Sequence, residues 1–270
     1  MSWLRPLGRT GLQVSALGLG TVKLGRNQDV KYPRAFELPD DRSAAALLDR
    51  ARGLGINLLD TAPAYGSSEE RLGGLLAGQR EHWIICSKVG EELEQGRPRF
   101  DFSPEHTRSS VIRSLRRLRT DSLDIVLVHS NGEDLRIIEH MGTLQMLKQL
   151  KREGLLRAFG VSTKTVAGGL AAAQVCDVVM LTYNPGQREE RAVLDACLQL
   201  RCGALVKKAL GSGHLLPAGA GDPGRPGAEN PLQASMDLVF GHPGTSAAIV
   251  GTIDQRHLQA DVEAARRATG

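Results

Sequence analysis

Residues 56–74 read INLLDTAPAYGSSEERLGG, and this stretch decides the fold. Ile56 to Leu59 is an apolar run broken only by Asn57, with the length and composition of a buried parallel strand. Asp60 and Thr61 end the run, and Ala62 to Gly66 is a short loop carrying Tyr65. Ser67 followed by Glu70 has the spacing of a capping box and predicts the start of a helix. The unit is strand, polar loop, helix, with a carboxylate and a phenol near the strand end. In a βα unit that end is where chemistry is placed.

The rest of the chain repeats this unit. Arg5 to Val14 predicts a small hairpin turning at Gly8 to Gly11, and Ala16 to Thr21 a first buried strand. A long charged loop with Tyr32 and Phe36 follows over 22–41, then a helix over Ser43 to Leu54. Further strands are expected over Trp83 to Val89, Ser122 to Ser130, Arg157 to Ser162, Val178 to Asn184, Ala204 to Lys208 and Ser246 to Thr252. Helices alternate with them. One opens at Ser103 and Pro104, an N-cap and a first-turn proline; others span Thr143 to Glu153, Thr165 to Val175, Arg188 to Leu200, Leu232 to Phe240 and Asp254 to Arg267. A loop dense in glycine and proline covers Gly211 to Asn230. Eight alternations without a compositional boundary predict one α/β domain over 1–270, a (β/α)8 TIM barrel with a short N-terminal β-hairpin. An open doubly wound sheet is the alternative. Against it, Gly18-Leu19-Gly20-Thr21 lacks the three-glycine fingerprint that opens a dinucleotide-binding helix.

Composition narrows the function classes. With 41% hydrophobic and 24% charged residues among 270, the chain is ordinary for a globular protein and can bury a sizeable core. The net charge is +4, and the arginines between Arg113 and Arg119 read as a solvated helix face rather than a nucleic-acid patch. Hydrophobic stretches are only strand-length, so no membrane span is expected, and the opening residues lack a signal-peptide pattern. Cys86, Cys176, Cys197 and Cys202 show no metal-ligand spacing and fit a reduced cytoplasmic protein.

Four polar residues fall at or near the ends of strands two, three and four: Asp60, Tyr65, Lys88 and His129. Each alone has an ordinary structural role open to it, as a cap, a packed ring, a snorkelling amine or a core histidine. A barrel would bring all four to one mouth. A phenol has a pKa near 10, too high to exchange protons readily at neutral pH. An ammonium at about 4 Å, in an effective dielectric of about 20, favours the phenolate by about 4 kcal/mol. Asp60 could hold that lysine, and His129 could orient a substrate oxygen. Such a set suits proton donation to an oxygen gaining negative charge, as in carbonyl reduction with hydride from a cofactor.

At these residues the chain resembles the aldo-keto reductase family. DTAPAYG at 60–66, CSKVG at 86–90 and LDIVLVHS at 123–130 match its signature segments in order and spacing, and GVS at 160–162, YN at 183–184 and LGSG at 210–213 extend the match. The resemblance implies a catalytic tetrad of Asp60, Tyr65, Lys88 and His129, with Tyr65 as proton donor, a small-molecule carbonyl substrate, and NADPH lying across the mouth. It assigns cofactor contacts to Gly20, Thr21, Ser162 and the Leu210, Gly211, Ser212, Gly213 loop, whose amides would receive the pyrophosphate. Gly251 and Thr252 match the start of the adenosine-phosphate site, before a helix N-terminus that favours an anion. Thr163 stands where the family has asparagine, Met180 where it has glutamine, and Lys207 where an aromatic often stacks on nicotinamide. His257 replaces the arginine that often grips the 2′-phosphate, Arg256 lies beside it, and Asp261 holds a position often asparagine. These changes leave NADH open as the alternative cofactor. They also motivate a second reading, a cofactor-binding sensor or auxiliary subunit with little turnover. A third is a lyase or isomerase using Lys88 as a Schiff base. The chain stops soon after the last helix, so Tyr32, Phe36, Phe100, Phe102 and Asn131 are the expected pocket walls.

Overall fold

The computed structural model describes residues 3–30, 32–213 and 230–270; most of the expected glycine- and proline-rich loop, residues 214–229, lies outside the described residues. Among these, twelve strands form, at β1 Leu4–Pro6, β2 Gln13–Ser15, β3 Leu17–Gly20, β4 Leu58–Asp60, β5 Ile84–Val89, β6 Glu91–Glu94, β7 Arg97–Phe100, β8 Leu123–His129, β9 Leu156–Ser162, β10 Val178–Thr182, β11 Gly203–Lys207 and β12 Ala247–Val250. Eight of them close into a parallel barrel in the order β3-β4-β5-β8-β9-β10-β11-β12 and back to β3. The expected (β/α)8 barrel is the fold, and the doubly wound alternative is excluded by that closure.

Alternation along the strands sorts side chains into two cores. Leu59, Ile85, Val126, Val161, Val179 and Val206 face outward and pack in the cluster shared with the surrounding helices. Leu58, Cys86, Ile125, Leu127, Met180 and Leu205 face inward and fill the barrel. Leu7, Leu12 and Val14, from the β1–β2 hairpin, join this inner cluster and plug the N-terminal end. With that end sealed, only the C-terminal mouth is left for polar chemistry.

The expected cap forms at Ser103, whose hydroxyl accepts from His106 N, and Asp254, expected as the first residue of the last helix, caps it instead, its carboxylate accepting from Arg256 N. The capping box expected at Ser67 does not form, because the Ser67 side chain makes no cap hydrogen bond. The helix Ser68–Leu75 is anchored instead by Glu69, a fully buried carboxylate that accepts from Ser87 Oγ at 2.6 Å. Two short helices, Val22–Gly25 and Asp134–His140, were not expected in the loops after β3 and β8. The segment 90–102, which holds the expected wall residues Phe100 and Phe102, contains the β6–β7 hairpin. Its two-residue turn has Gln95 at φ 50° and Gly96 at φ 80°, the consecutive positive values of a tight hairpin. Glu92 faces Arg99, and Glu94 faces Arg97, so charge pairing replaces an apolar face.

Gly160 marks the closest approach in the barrel wall. A Cβ there would fall 1.7 Å from the Val178 carbonyl oxygen on β10. Gly160→Ala must therefore spread two hydrogen-bonded strands, and we expect it to cost about 2–3 kcal/mol in urea unfolding. A loss below about 0.5 kcal/mol would show that the wall yields freely at this point.

Candidate active site

Asp60, Lys88 and His129 occupy inward-facing positions at the ends of β4, β5 and β8. The Lys88 amine donates to Asp60 Oδ1 at 2.5 Å and to the Thr61 carbonyl at 2.9 Å. Both partners are deeply buried, with relative exposures of 1% for Lys88 and 4% for Asp60. Tyr65 sits in the short helical turn Pro63–Tyr65, and its hydroxyl donates to Asp60 Oδ2 at 3.5 Å. The Lys88 amine is 4.8 Å from the centre of the Tyr65 ring. The His129 ring meets Tyr65 edge-on, with centroids 6.3 Å apart. All four groups converge on one mouth.

Neighbouring hydroxyls fix the strand end. Thr21 donates its backbone N–H (2.9 Å) and its Oγ1 (3.0 Å) to the Asp60 carbonyl. Ser68 Oγ donates in turn to Thr21 Oγ1 at 2.8 Å, and Thr61 Oγ1 donates to Ser68 Oγ at 3.1 Å. Thr21, expected at the cofactor, thus braces β3 against β4, while Gly20 lies on the same rim with a Cβ position 3.1 Å from Ile249.

Burial sets the protonation states. It pushes the Tyr65 phenol above its ordinary value; Lys88 pulls it back and Asp60 adds to the rise. The ammonium therefore offsets the burial of the phenol without overcoming it, contrary to the net lowering expected from Coulomb's law alone. For Lys88, burial favours the neutral amine, but Asp60, Tyr65 and Cys86 outweigh it and leave its pKa above the usual lysine range. His129 is held below its ordinary value by burial, against the pull of Glu91.

Residues assigned to a cofactor spread along the far side of the mouth. Lys207, ending β11, reaches across to β9 and donates to Ser162 Oγ at 2.9 Å and to the Thr163 carbonyl at 2.7 Å. Burial lowers its pKa to about 8, with Glu190 opposing. Thr163 is buried, and its hydroxyl has no partner among the described residues. Met180 packs in the apolar interior in register with Ser162, forming floor rather than rim. In the Leu210 to Gly213 turn, the Gly211 and Gly213 amides donate to Lys208 and Leu210 carbonyls, and Ser212 takes a left-handed φ of 58°. Gly251 lies beneath Tyr32, whose hydroxyl would be 2.9 Å from a Cβ there. Thr252 Oγ1 accepts from Asp254 N at 3.1 Å, close to the N-terminus of the helix Gln255–Thr269. On that helix His257 is exposed, Arg256 pairs with Asp254 at 2.9 Å, and Asp261 is buried. The Asp261 carboxyl makes no hydrogen bond among the described residues, and burial raises its pKa to about 7.

The expected walls divide. Tyr32 and Phe36 pack edge-on, 5.6 Å apart, around the Lys23 amine. Phe102 is buried in the outer core, whereas Phe100 is 37% exposed. Phe100 and Asn131 line a surface groove with Met141 and Pro104. Sequence reasoning missed Glu91, whose Oε2 lies 2.7 Å from His129 Nδ1. The Gln95-Gly96 turn was the available signal, because a hairpin starting at Glu91 folds back against the Pro63–Tyr65 turn.

Residues 16–235 match the family model described as Aldo/keto reductase family. L-galactose dehydrogenase of Arabidopsis thaliana is 39% identical over 166 residues, which cover 59% of this chain and 48% of that protein. The matched segments span about half the length of the curated relatives. The solved structure of PA4992 from Pseudomonas aeruginosa is 53% identical, with a TM-score of 0.87 over 99% of this chain and 95% of that one. The aldo-keto reductase AKR11C1 from Bacillus halodurans, in its holo form, superposes with a TM-score of 0.81 at 25% identity, over 100% of this chain and 94% of its own. With the match running through the strands that carry Asp60, Lys88, His129 and Ser162, this chain belongs to the aldo/keto reductase family.

Proposed function

We propose that the chain is an NAD(P)H-dependent oxidoreductase that reduces aldehydes or ketones to alcohols, with Tyr65 as proton donor and NADPH ahead of NADH as cofactor. One observation carries the reading: the Tyr65 hydroxyl and the Lys88 amine meet on the same buried carboxylate, at the open end of the barrel. A phenol held above its ordinary pKa is fully protonated at neutral pH, the state a proton donor needs. Lys88, held as a cation, favours the phenolate left after transfer.

The bound nicotinamide would supply hydride. Thr163 Oγ1, buried without a partner among the described residues, suits a carboxamide, and the Asp261 carboxyl, likewise buried with none among them, suits an amine such as that of adenine. Ser162 and Lys207 would complete the nicotinamide end, and the Leu210 to Gly213 turn with Gly251 and Thr252 the phosphate end. Arg256 and His257 on the exposed first helical turn favour a 2′-phosphate.

The auxiliary-subunit alternative gains nothing from a mouth where all four tetrad groups converge. A Schiff-base role for Lys88 is disfavoured because its amine is held charged by Asp60. The Arabidopsis relative's name, a dehydrogenase of a sugar, suggests that the same site can run towards oxidation. No helix among the described residues is long and apolar enough to cross a membrane.

Turnover of an aromatic aldehyde panel with NADPH and NADH, with dinucleotide binding followed by fluorescence, tests the reading. Tyr65→Phe should lower kcat by about 10²–10⁴-fold with cofactor affinity unchanged; equal rates would reject it. Lys88→Met leaves Asp60 buried without a counter-ion and should cost about 3–5 kcal/mol of stability. Adding Asp60→Asn should restore most of that loss, and failure to do so would show the ion pair is not its source.

Asp261 gives a pH signature. Its folded pKa of about 7 exceeds the unfolded value of about 3.9, so the folded state binds more protons between them. Stability should fall as pH rises from about 4 to 7, by up to about 4 kcal/mol, and stay low above. In Asp261→Asn that component should vanish, measured as the difference between two urea-stability profiles.

A further inference from the structure

Glu91 has no part in the tetrad, yet its carboxylate reaches the His129 ring. Its Oε2 lies 2.7 Å from Nδ1, and the two side chains are only 15% and 21% exposed. The carboxylate sits off the line of a ring N–H, so the contact is chiefly Coulombic. Even off that line, a negative charge so close to Nδ1 disfavours a bare lone pair on this nitrogen and favours an N–H there. Burial pushes the Glu91 carboxyl upward, but His129, with Lys164 and Arg26, outweighs it and leaves the group ionised at neutral pH. The proton therefore belongs to Nδ1. His129 Nε2 has no hydrogen-bond partner among the described residues and is not sealed from the mouth.

We propose that Glu91 is a positioning residue that holds His129 with Nδ1 protonated and Nε2 open to the mouth, making His129 a hydrogen-bond acceptor towards a substrate hydroxyl at neutral pH. The proposal deepens the reductase reading and rests on it for the identity of the substrate. A neutral imidazole has one donor and one acceptor nitrogen, and the partner of one fixes the role of the other. At neutral pH Nε2 can receive a hydrogen bond from an alcohol but cannot give one to a carbonyl oxygen. Tyr65 is then the sole O–H donor for reduction. Only when His129 gains a second proton does Nε2–H become a donor, and Glu91 makes that proton easier to add. The charged and titratable groups acting on the ring are Glu91 from β6, Lys88 from β5 and Lys207 from β11, with Tyr65 against its edge. Lys164 and Arg26 act on Glu91 from the loops after β9 and β3.

Nitrogen-15 NMR of histidine-labelled protein, with the His129 signal assigned by its loss in His129→Gln, reads the tautomer without turnover. At pH 8 the wild type should show Nδ1 protonated and Nε2 bare. Glu91→Gln should lower the His129 titration midpoint by about one unit and mix the tautomers. Glu91→Asp, which keeps the charge, should leave the midpoint near wild type. In the pH profile of carbonyl reduction, the limb that rises towards acid should move down by the same amount in Glu91→Gln. A wild-type Nε2–H tautomer, or an unmoved midpoint in a Glu91→Gln protein of native circular dichroism, would overturn the proposal. If the tautomer is as stated but no carbonyl is turned over, the reductase reading fails instead and the Glu91 assignment stands.

Discussion

The contact between Lys88 and Asp60 is the constraint on which the rest of the mouth depends. Two opposite charges, both nearly sealed from solvent, lie 2.5 Å apart. Neither would be tolerated there alone, since an unpaired buried charge costs several kcal/mol. The closed barrel makes the pairing possible by setting Asp60 opposite Cys86 on β5, two residues before Lys88, so both side chains project inward at neighbouring heights. Tyr65 then hangs from the second carboxylate oxygen, and its protonation follows from the balance of that pair.

The same alternation that builds the core creates the site. Inward positions are apolar while they lie within the barrel, as at Leu58, Cys86, Leu127 and Met180. One step further along the strands the inward positions become Asp60, Lys88, His129, Ser162 and Lys207. The hairpin side chains Leu7 and Leu12 close the opposite end, so polar groups are concentrated at a single opening. Strand register thus places Asp60, Lys88 and His129, and the turn after β4 adds Tyr65.

This is also why much of the mouth was legible from the sequence. Asp60, Lys88 and His129 end apolar runs, and period-two patterning with strand-helix alternation is enough to set them on one rim. What stayed hidden depends on loops. The Ser67 capping box had the right spacing, but the burial of Glu69 against Ser87 took over the anchoring of that helix. The β6–β7 hairpin carries little apolar alternation, with Glu92 facing Arg99 and Glu94 facing Arg97 in two of its four pairs, so a hydrophobicity reading passes it by. Glu91 was lost with it. The downward pull expected of Lys88 on Tyr65 ignored desolvation, which no sequence spacing encodes.

Charge balance at the mouth follows a pattern of local neutralisation. Lys88 is matched by Asp60, Lys207 is opposed through charge by Glu190, and Glu91 sets a negative charge beside the neutral His129. A dinucleotide lying there, as proposed, would gain little from net positive potential at the barrel centre. Its anionic phosphates would depend instead on backbone amides and the first turn of the helix Gln255–Thr269, at the periphery. Lys207 is the adjustable member of the set. With a pKa lowered to about 8 and, among the described residues, only neutral oxygens from Ser162 and Thr163 as direct partners, it is the mouth cation most readily discharged. Placing such a group on β11, opposite the rigid Lys88–Asp60 pair, separates the two demands on the mouth: an unchanging charge beside the phenol proposed as proton donor, and a responsive one on the side proposed for the cofactor.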